Sequence, residues 1–259
     1  MQKGKKHLIK HSHKLCFILL LFNTNITFAQ TKPFEPIMGS IFLVKENRII
    51  DSVVFKETFN IFIKEFIKGM KDKMIEEYRL ANQPMDTLQL NEIAAPIKEL
   101  LFETISEPGK KLFAIEYKAD KIFYTQLDDE NNSKELYYYD KLKNIVVNSY
   151  NQNQLVDYFR QEQVISIKEH REQTKIIQGY KCFKVIYQYK ENTENEEIFM
   201  PPVIYTRELW VTEQLKSPFH FAVKANEILF KYYPLEIIEH MDKISGLETT
   251  YILTAINLK

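Results

Sequence analysis

Residues 112–127 read Leu112-Phe113-Ala114-Ile115-Glu116-Tyr117, then Lys118-Ala119-Asp120-Lys121, then Ile122-Phe123-Tyr124-Thr125-Gln126-Leu127. Two runs rich in aromatic and β-branched side chains flank a short polar turn, the pattern of a β-hairpin. The arrangement recurs directly downstream. Glu135–Asp140 and Ile145–Tyr150 flank Lys141–Asn144, and the polar stretch Asp128–Lys134 joins the two hairpins. Asn153–Arg160 reads as a short helix. Val164–His170, Lys175–Gln178, Tyr180–Lys190, Ile204–Thr212, Glu227–Lys231 and Thr249–Leu258 read as further strands. Closely spaced strands with polar turns predict an antiparallel meander.

Upstream of residue 112 the period changes. Ile37–Val44 and Arg48–Phe55 read as extended around a turn at Lys45–Asn47. Phe55, Phe59, Phe62, Phe66, Met70 and Met74 then recur at steps of three and four, with Lys, Glu and Asp on the other face and i,i+4 pairs at Lys68/Asp72 and Lys73/Glu77. This predicts an amphipathic helix of about six turns. A second helix is expected after Asn91, with Pro96 near its start, Ile97, Leu100, Leu101 and Ile105 on one face, and Glu107-Pro108-Gly109 as its stop. Helices followed by an antiparallel sheet predict an α+β domain. The expected architecture is a curved antiparallel sheet with the two early helices packed against it, covering its concave face. Residues 30–259 contain no Pro/Ser/Gly linker, so they read as a single domain.

The 35 basic and 35 acidic residues balance only over the whole chain. Residues 1–29 hold Lys3, Lys5, Lys6, Lys10 and Lys14 and no acid, which leaves 30 basic against 35 acidic residues in 30–259, a net charge of −5. An acidic body argues against a general nucleic-acid partner, which needs a basic face to neutralise phosphates. At 45% apolar and 27% charged residues the chain has the composition of a folded protein. Six glycines exclude collagen-like architectures. Residues 1–14 are basic and polar, Leu15–Phe22 form an apolar run, and Thr27 and Ala29 suit the −3 and −1 positions of a cleavage site. This is the pattern of a secretory signal peptide over residues 1–29. Its apolar run is shorter than the roughly 20 residues a membrane span needs. The expectation is therefore export, with no transmembrane span after cleavage and a soluble or peripheral mature protein. Cys16 would leave with the leader and sits too early in the apolar run for a lipid anchor. Cys182 is then the sole thiol, so no intrachain disulfide is expected, and it reads as a small buried hydrophobe.

Residues able to carry chemistry are sparse. His170 and Glu172 would share a strand face, as would Glu236 and His240, and both read as solvated pairs. Glu236-Ile237-Ile238-Glu239-His240 has Glu where the zinc motif H-x-x-E-H has its first His. The acidic stretch Glu191–Glu197 lacks the spaced oxygens and glycine turn of a calcium loop. No catalytic constellation, metal site or cofactor is expected. The aromatic faces suggest a pocket instead. Tyr137 and Tyr139 alternate on one strand, Phe183, Tyr187 and Tyr189 on another, and Trp210 stands on a third. With Phe62, Phe66, Met70 and Met74 from the first helix, and Met85 beyond it, they would line an apolar site between sheet and helices. Such a site would take a lipid or an acylated peptide. The alternative is a structural or interaction module that contacts another envelope protein.

One segment carries a family resemblance. Gly179-Tyr180-Lys181-Cys182-Phe183-Lys184, followed by Trp210-Val211-Thr212, then Tyr233-Pro234-Leu235-Glu236-Ile237 and a closing strand over Thr249–Leu258, resembles the exported GLPGLI-type proteins of Bacteroidota and neighbouring uncharacterised families. The chain resembles a divergent member: the Gly-Leu-Pro-Gly-Leu-Ile string is absent, and Phe230–Leu235 stands near its place. The resemblance implies a bacterial envelope protein, periplasmic or peripheral to the outer membrane, with a LolA-like sheet, the fold of lipoprotein carriers, and through it hydrophobic-ligand carriage. It brings no catalytic residues.

Overall fold

Asp51 ends one element and starts the next. Its Oδ1 accepts hydrogen bonds from the backbone N–H groups of Val53 and Val54, both at 3.0 Å, which satisfies two of the free donors at a helix start. Helix α1 (Ser52–Leu80) follows it, and strand β1 (Met38–Ile49) precedes it. Gly246 sits against this junction at φ +76, where a Cβ would lie 2.4 Å from the Asp51 carbonyl oxygen, so the close approach requires glycine. The computed structural model describes residues 32–81, 87–107, 109–127, 132–191 and 202–259, with no side chains for 87–95. The expected leader over 1–29, Met85, Pro108, Asp128–Asn131 and the acidic stretch from residue 192 lie outside these residues. Pro33–Lys259 form one compact unit.

After helix α2 (Thr87–Ser106) the chain runs through β2 (Lys110–Lys118), β3 (Lys121–Leu127), β4 (Ser133–Asp140) and β5 (Ile145–Asn148). A 3-10 turn at Tyr158–Arg160 leads to β6 (Glu162–Ile177), β7 (Tyr180–Glu191) and β8 (Tyr205–Thr212). The short helix α3 (Asn226–Leu229), β9 (Tyr233–Met241) and β10 (Leu247–Leu258) complete the domain. All ten strands form one antiparallel sheet in the order β5-β4-β3-β2-β1-β10-β9-β8-β7-β6. Two meanders therefore meet at the centre, where β1 pairs with both β2 and β10. The fold is α+β, dominated by the sheet.

The sheet curls strongly. Every one of its ten strands contributes a residue to the lining of a single cavity of about 730 Å³. Ten strands laid flat would be roughly 43 Å wide at about 4.8 Å per strand. A cavity of this volume is roughly 11 Å across if compact, so both edges of the sheet must wrap round it. The main core fills the rest of the concave face. Ile41, Leu43, Phe113, Ile115, Val185, Leu209, Val211, Leu235 and Ile237 pack there against Leu215, Phe219, Phe221, Val223, Ile228 and Leu229 of the β8–β9 connection.

That connection occupies the place expected for the helices. Phe55, Phe59, Phe62 and Ile63 of α1 instead form a separate cluster with Val203, Ile244 and Leu247, at the β9–β10 turn and just before β8. Phe102 of α2 closes it edge-on to Phe59, with ring centroids 5.3 Å apart. The helices thus pack at one end of the sheet. The reason lies in chain length: the connection from Glu213 to Tyr232 is apolar enough to bury itself, and it reaches the concave face directly from β8.

Other sequence expectations change for local reasons. Lys45–Asn47 make no turn, because β1 is central and all three pair with Tyr251, Thr250 and Thr249 of β10. Extended structure stops at Ile49, since Asp51 caps the helix. Pro96 lies inside α2, not near its start. Val164–His170 and Lys175–Ile177 belong to the one strand β6, interrupted by a bulge between His170 and Thr174, and Gln178 lies in the turn that follows. Asn153–Arg160 holds only the 3-10 turn. Glu227–Lys231 is part of a helical turn, as short apolar runs do not distinguish strand from helix.

Candidate functional site

Register brings the polar heart of the cavity together. On β8, Arg207 shares a face with Leu209 and Val211, both fully buried. It stands directly opposite Tyr187 of β7 and Glu239 of β9. Its Nη1 donates to Glu162 Oε1 at 2.6 Å and to the Tyr187 hydroxyl at 2.6 Å, and its Nε donates to Glu239 Oε2. Glu162 Oε2 accepts from the Tyr187 hydroxyl (3.1 Å) and the Lys224 backbone N–H (3.0 Å). Glu239 Oε2 also accepts from the Tyr189 hydroxyl at 2.8 Å. The guanidinium lies 4.5 Å from the Tyr189 ring centroid. A charge buried this deeply is tolerable only when paired and hydrogen-bonded, and here each charge is.

Around this network the walls are aromatic. Phe221 stacks on Tyr124 with centroids 4.5 Å apart and an interplanar angle of 7°, and it also touches Phe113 and Tyr251. Tyr189 stacks on Tyr205 at 5.0 Å. Tyr158 hangs from the 3-10 turn, and its hydroxyl donates to the Phe221 carbonyl at 3.4 Å. Burial pushes the hydroxyls of Tyr124, Tyr158, Tyr189, Tyr205 and Tyr251 well above the ordinary phenol range. They are neutral at physiological pH. Lys45, Lys111 and Lys224 add cations to the lining, and Gln126, Asn148 and Gln161 add amides. The cavity therefore offers flat apolar surfaces beside fixed charge.

Of the residues expected to line a pocket, Tyr137 and Tyr189 do so. Tyr187 is buried beneath them, holding Arg207 and Glu162. Tyr139 packs into the core against Phe159 and Phe219. Phe183 packs edge-on to Tyr232, under Arg171. Trp210 points from the opposite face of β8, with the Lys175 ammonium 4.3 Å from its ring. Phe62 lies in the helix cluster. Met70 is buried on α1, and Phe66 and Met74 are half-buried there; none of these four lines the cavity. The sheet, the β5–β6 connection and the β8–β9 connection supply the lining, and no described side chain of α1 or α2 belongs to it.

Sequence reasoning missed Arg207, Glu162, Glu239 and Phe221. A signal for the first existed: Arg207 interrupts an alternating apolar face, which marks a buried ion pair. Nothing local marked Glu162, which reaches Arg207 only because β6 and β8 flank β7.

Several other titratable residues lie outside the cavity lining. Cys182 is fully buried, and burial pushes its thiol up to about 11. Lys175 and Glu236 pair beside it at 2.8 Å. His170 Nδ1 contacts Glu172 at 3.3 Å at the β6 bulge. His220 is completely buried, accepts the Ala222 N–H on Nδ1, and is held down to about 3 by burial, with Arg207 adding to the effect. Among the described residues no group of three or more His, Cys, Asp or Glu side chains is placed to hold a metal. No helix among them is long and apolar enough to cross a membrane. No family model, curated protein or solved structure matches the chain.

Proposed function

We propose that the protein is an exported, non-catalytic carrier or binding domain of the cell envelope that holds a lipid or an acylated peptide inside its curled sheet. The observation that carries this reading is the cavity of about 730 Å³ lined from all ten strands. Its volume lies within the roughly 300–1,000 Å³ of small-ligand sites, and its walls pair aromatic faces with a few placed polar groups. Glu162 and Glu239 are each engaged by several donors, which suits a rigid wall better than an acid or base that must exchange protons. The curled sheet is also compatible with the LolA-like architecture that the Gly179–Lys184 resemblance implies, with the β8–β9 connection as its inner cover.

The test is native mass spectrometry of the protein purified from an envelope fraction, paired with lipid extraction. A stoichiometric lipid or acylated-peptide adduct is the expected result. A clean unliganded mass, together with no uptake of dodecanoate or dodecanol at millimolar concentration, overturns the carrier reading.

A further inference from the structure

Two lysines stand side by side on the wall of the cavity. Lys45 continues the face of β1 that carries Ile41 and Leu43, and Lys111 continues the face of β2 that carries Phe113 and Ile115. They are directly opposed in the β1–β2 register, and both line the cavity. Like charges directly opposite on a sheet destabilise it. The pair is incompletely neutralised. Lys111 Nζ is 2.6 Å from Glu107, but among the described residues no carboxylate forms an ion pair with Lys45. Its nearest ring is Tyr251, on its other flank in the β10 register, with the ammonium 5.8 Å from the centroid. Burial lowers the affinity of Lys45 for its proton, and Lys111 lowers it further, while Glu239 and Glu107 act in the opposite sense.

Of the other charges that line the cavity, Glu239 acts on Lys45 only at a distance, its own hydrogen bonds going to Arg207 and Tyr189. Arg207 is bound to both Glu162 and Glu239, and Lys224 bonds Gln161. Beside the lysines stand Phe113, Tyr124, Tyr251 and Phe221, whose rings touch one another. A half-buried cation with no ion-pair partner among the described residues, next to an aromatic wall, is complementary to a molecule with one negative group and an apolar body.

We infer that Lys45, supported by Lys111, is the head-group site of this cavity, and that the ligand is an amphipathic anion whose carboxylate or phosphate sits between the two ammonium groups while its apolar part lies on the Phe113–Tyr124–Phe221 wall. This rests on the carrier reading above and narrows it to anionic ligands.

The experiment is isothermal titration of the purified protein with dodecanoate, dodecan-1-ol, dodecyltrimethylammonium and acetate. Dodecanoate should bind at least tenfold more tightly than the alcohol, the cationic amphiphile more weakly than either, and acetate not measurably, because the head alone lacks the wall. Lys45→Met should abolish the tenfold preference and leave the alcohol's affinity unchanged, whereas Lys45→Arg should retain it. Equal affinity for dodecanoate and dodecanol, or a preference that survives Lys45→Met, overturns the head-group site and leaves the carrier reading standing. Binding of acetate as tightly as dodecanoate overturns the amphipathic requirement in favour of a small-anion site. Failure of all three twelve-carbon probes to bind removes both readings together.

Discussion

Replacing Arg207 by Met removes the one cation shared by two carboxylates inside the curled sheet. Arg207 is 5% exposed and Glu162 7%, so neither is reached freely by solvent. The substitution leaves the volume nearly unchanged but removes the ion-pair partner that Glu162 and Glu239 share. Breaking a buried pair from one side typically costs about 3–5 kcal/mol, because the uncompensated charge remains buried. For a domain of this size each kcal/mol lowers Tm by roughly 2–4 °C, so the expected fall is roughly 6–20 °C. Urea unfolding followed by far-UV circular dichroism measures the loss at pH 7. The control is the triple variant Arg207→Met, Glu162→Gln, Glu239→Gln. It removes all three charges and keeps acceptors for Tyr187 and Tyr189, so it should recover most of the lost stability. A single variant within about 1 kcal/mol of wild type, or a triple variant no more stable than the single one, would refute the claim that burial of unpaired charge sets the cost.

His220 has a folded-state pKa of about 3, below the ordinary value near 6.5, so its contribution to stability is complete above about 6.5 and is lost as pH falls towards 3; the loss is on the order of 4 kcal/mol. His220→Phe should flatten that acid limb in denaturant titrations between pH 6.5 and 3, and an unchanged limb counts against a neutral buried imidazole. Cys182, with its thiol pushed up to about 11, should resist a thiol-specific disulfide reagent at pH 8 in the native protein and react completely in guanidinium; rapid native labelling contradicts the burial. Phe62→Asp places an unpaired charge at a position 2% exposed and should cost about 3 kcal/mol or more. A thermal melt matching wild type would show that α1 does not pack on the β9–β10 end of the sheet.

Much of the sheet was legible because its strands announce themselves locally. The Leu112–Leu127 hairpin reappears as β2 and β3, and the alternation of Phe183, Val185, Tyr187 and Tyr189 is a buried face. The step of three and four from Phe55 to Met74 lies within α1, which Asp51 starts and which runs on to Leu80. These are properties of a chain and its nearest neighbours: side-chain period, turn chemistry and capping.

The candidate site was only half legible. Tyr137 and Tyr189 were recognisable as aromatic faces. The helix residues Phe62, Phe66, Met70 and Met74 were assigned to the same pocket, because an amphipathic stripe states that it must be buried and not against what. That decision belongs to topology. Strand β1 pairs with a strand more than 200 residues later in the chain, at Lys45 and Tyr251, and the edge-to-edge passage from β5 to β6 puts Asn148 and Glu162 on one cavity. Arg207 meets Glu162 and Glu239 from three strands for the same reason. Sequence alone determined most of the strands and the first helix, since those choices depend largely on local conformational preference, but it misassigned Glu227–Lys231 and the segment before Asp51. Only the tertiary structure decided that the β8–β9 connection and not the helices covers the concave face, and that two lysines stand side by side on it, since pairing register and sheet curvature are properties of contacts between residues far apart in the chain.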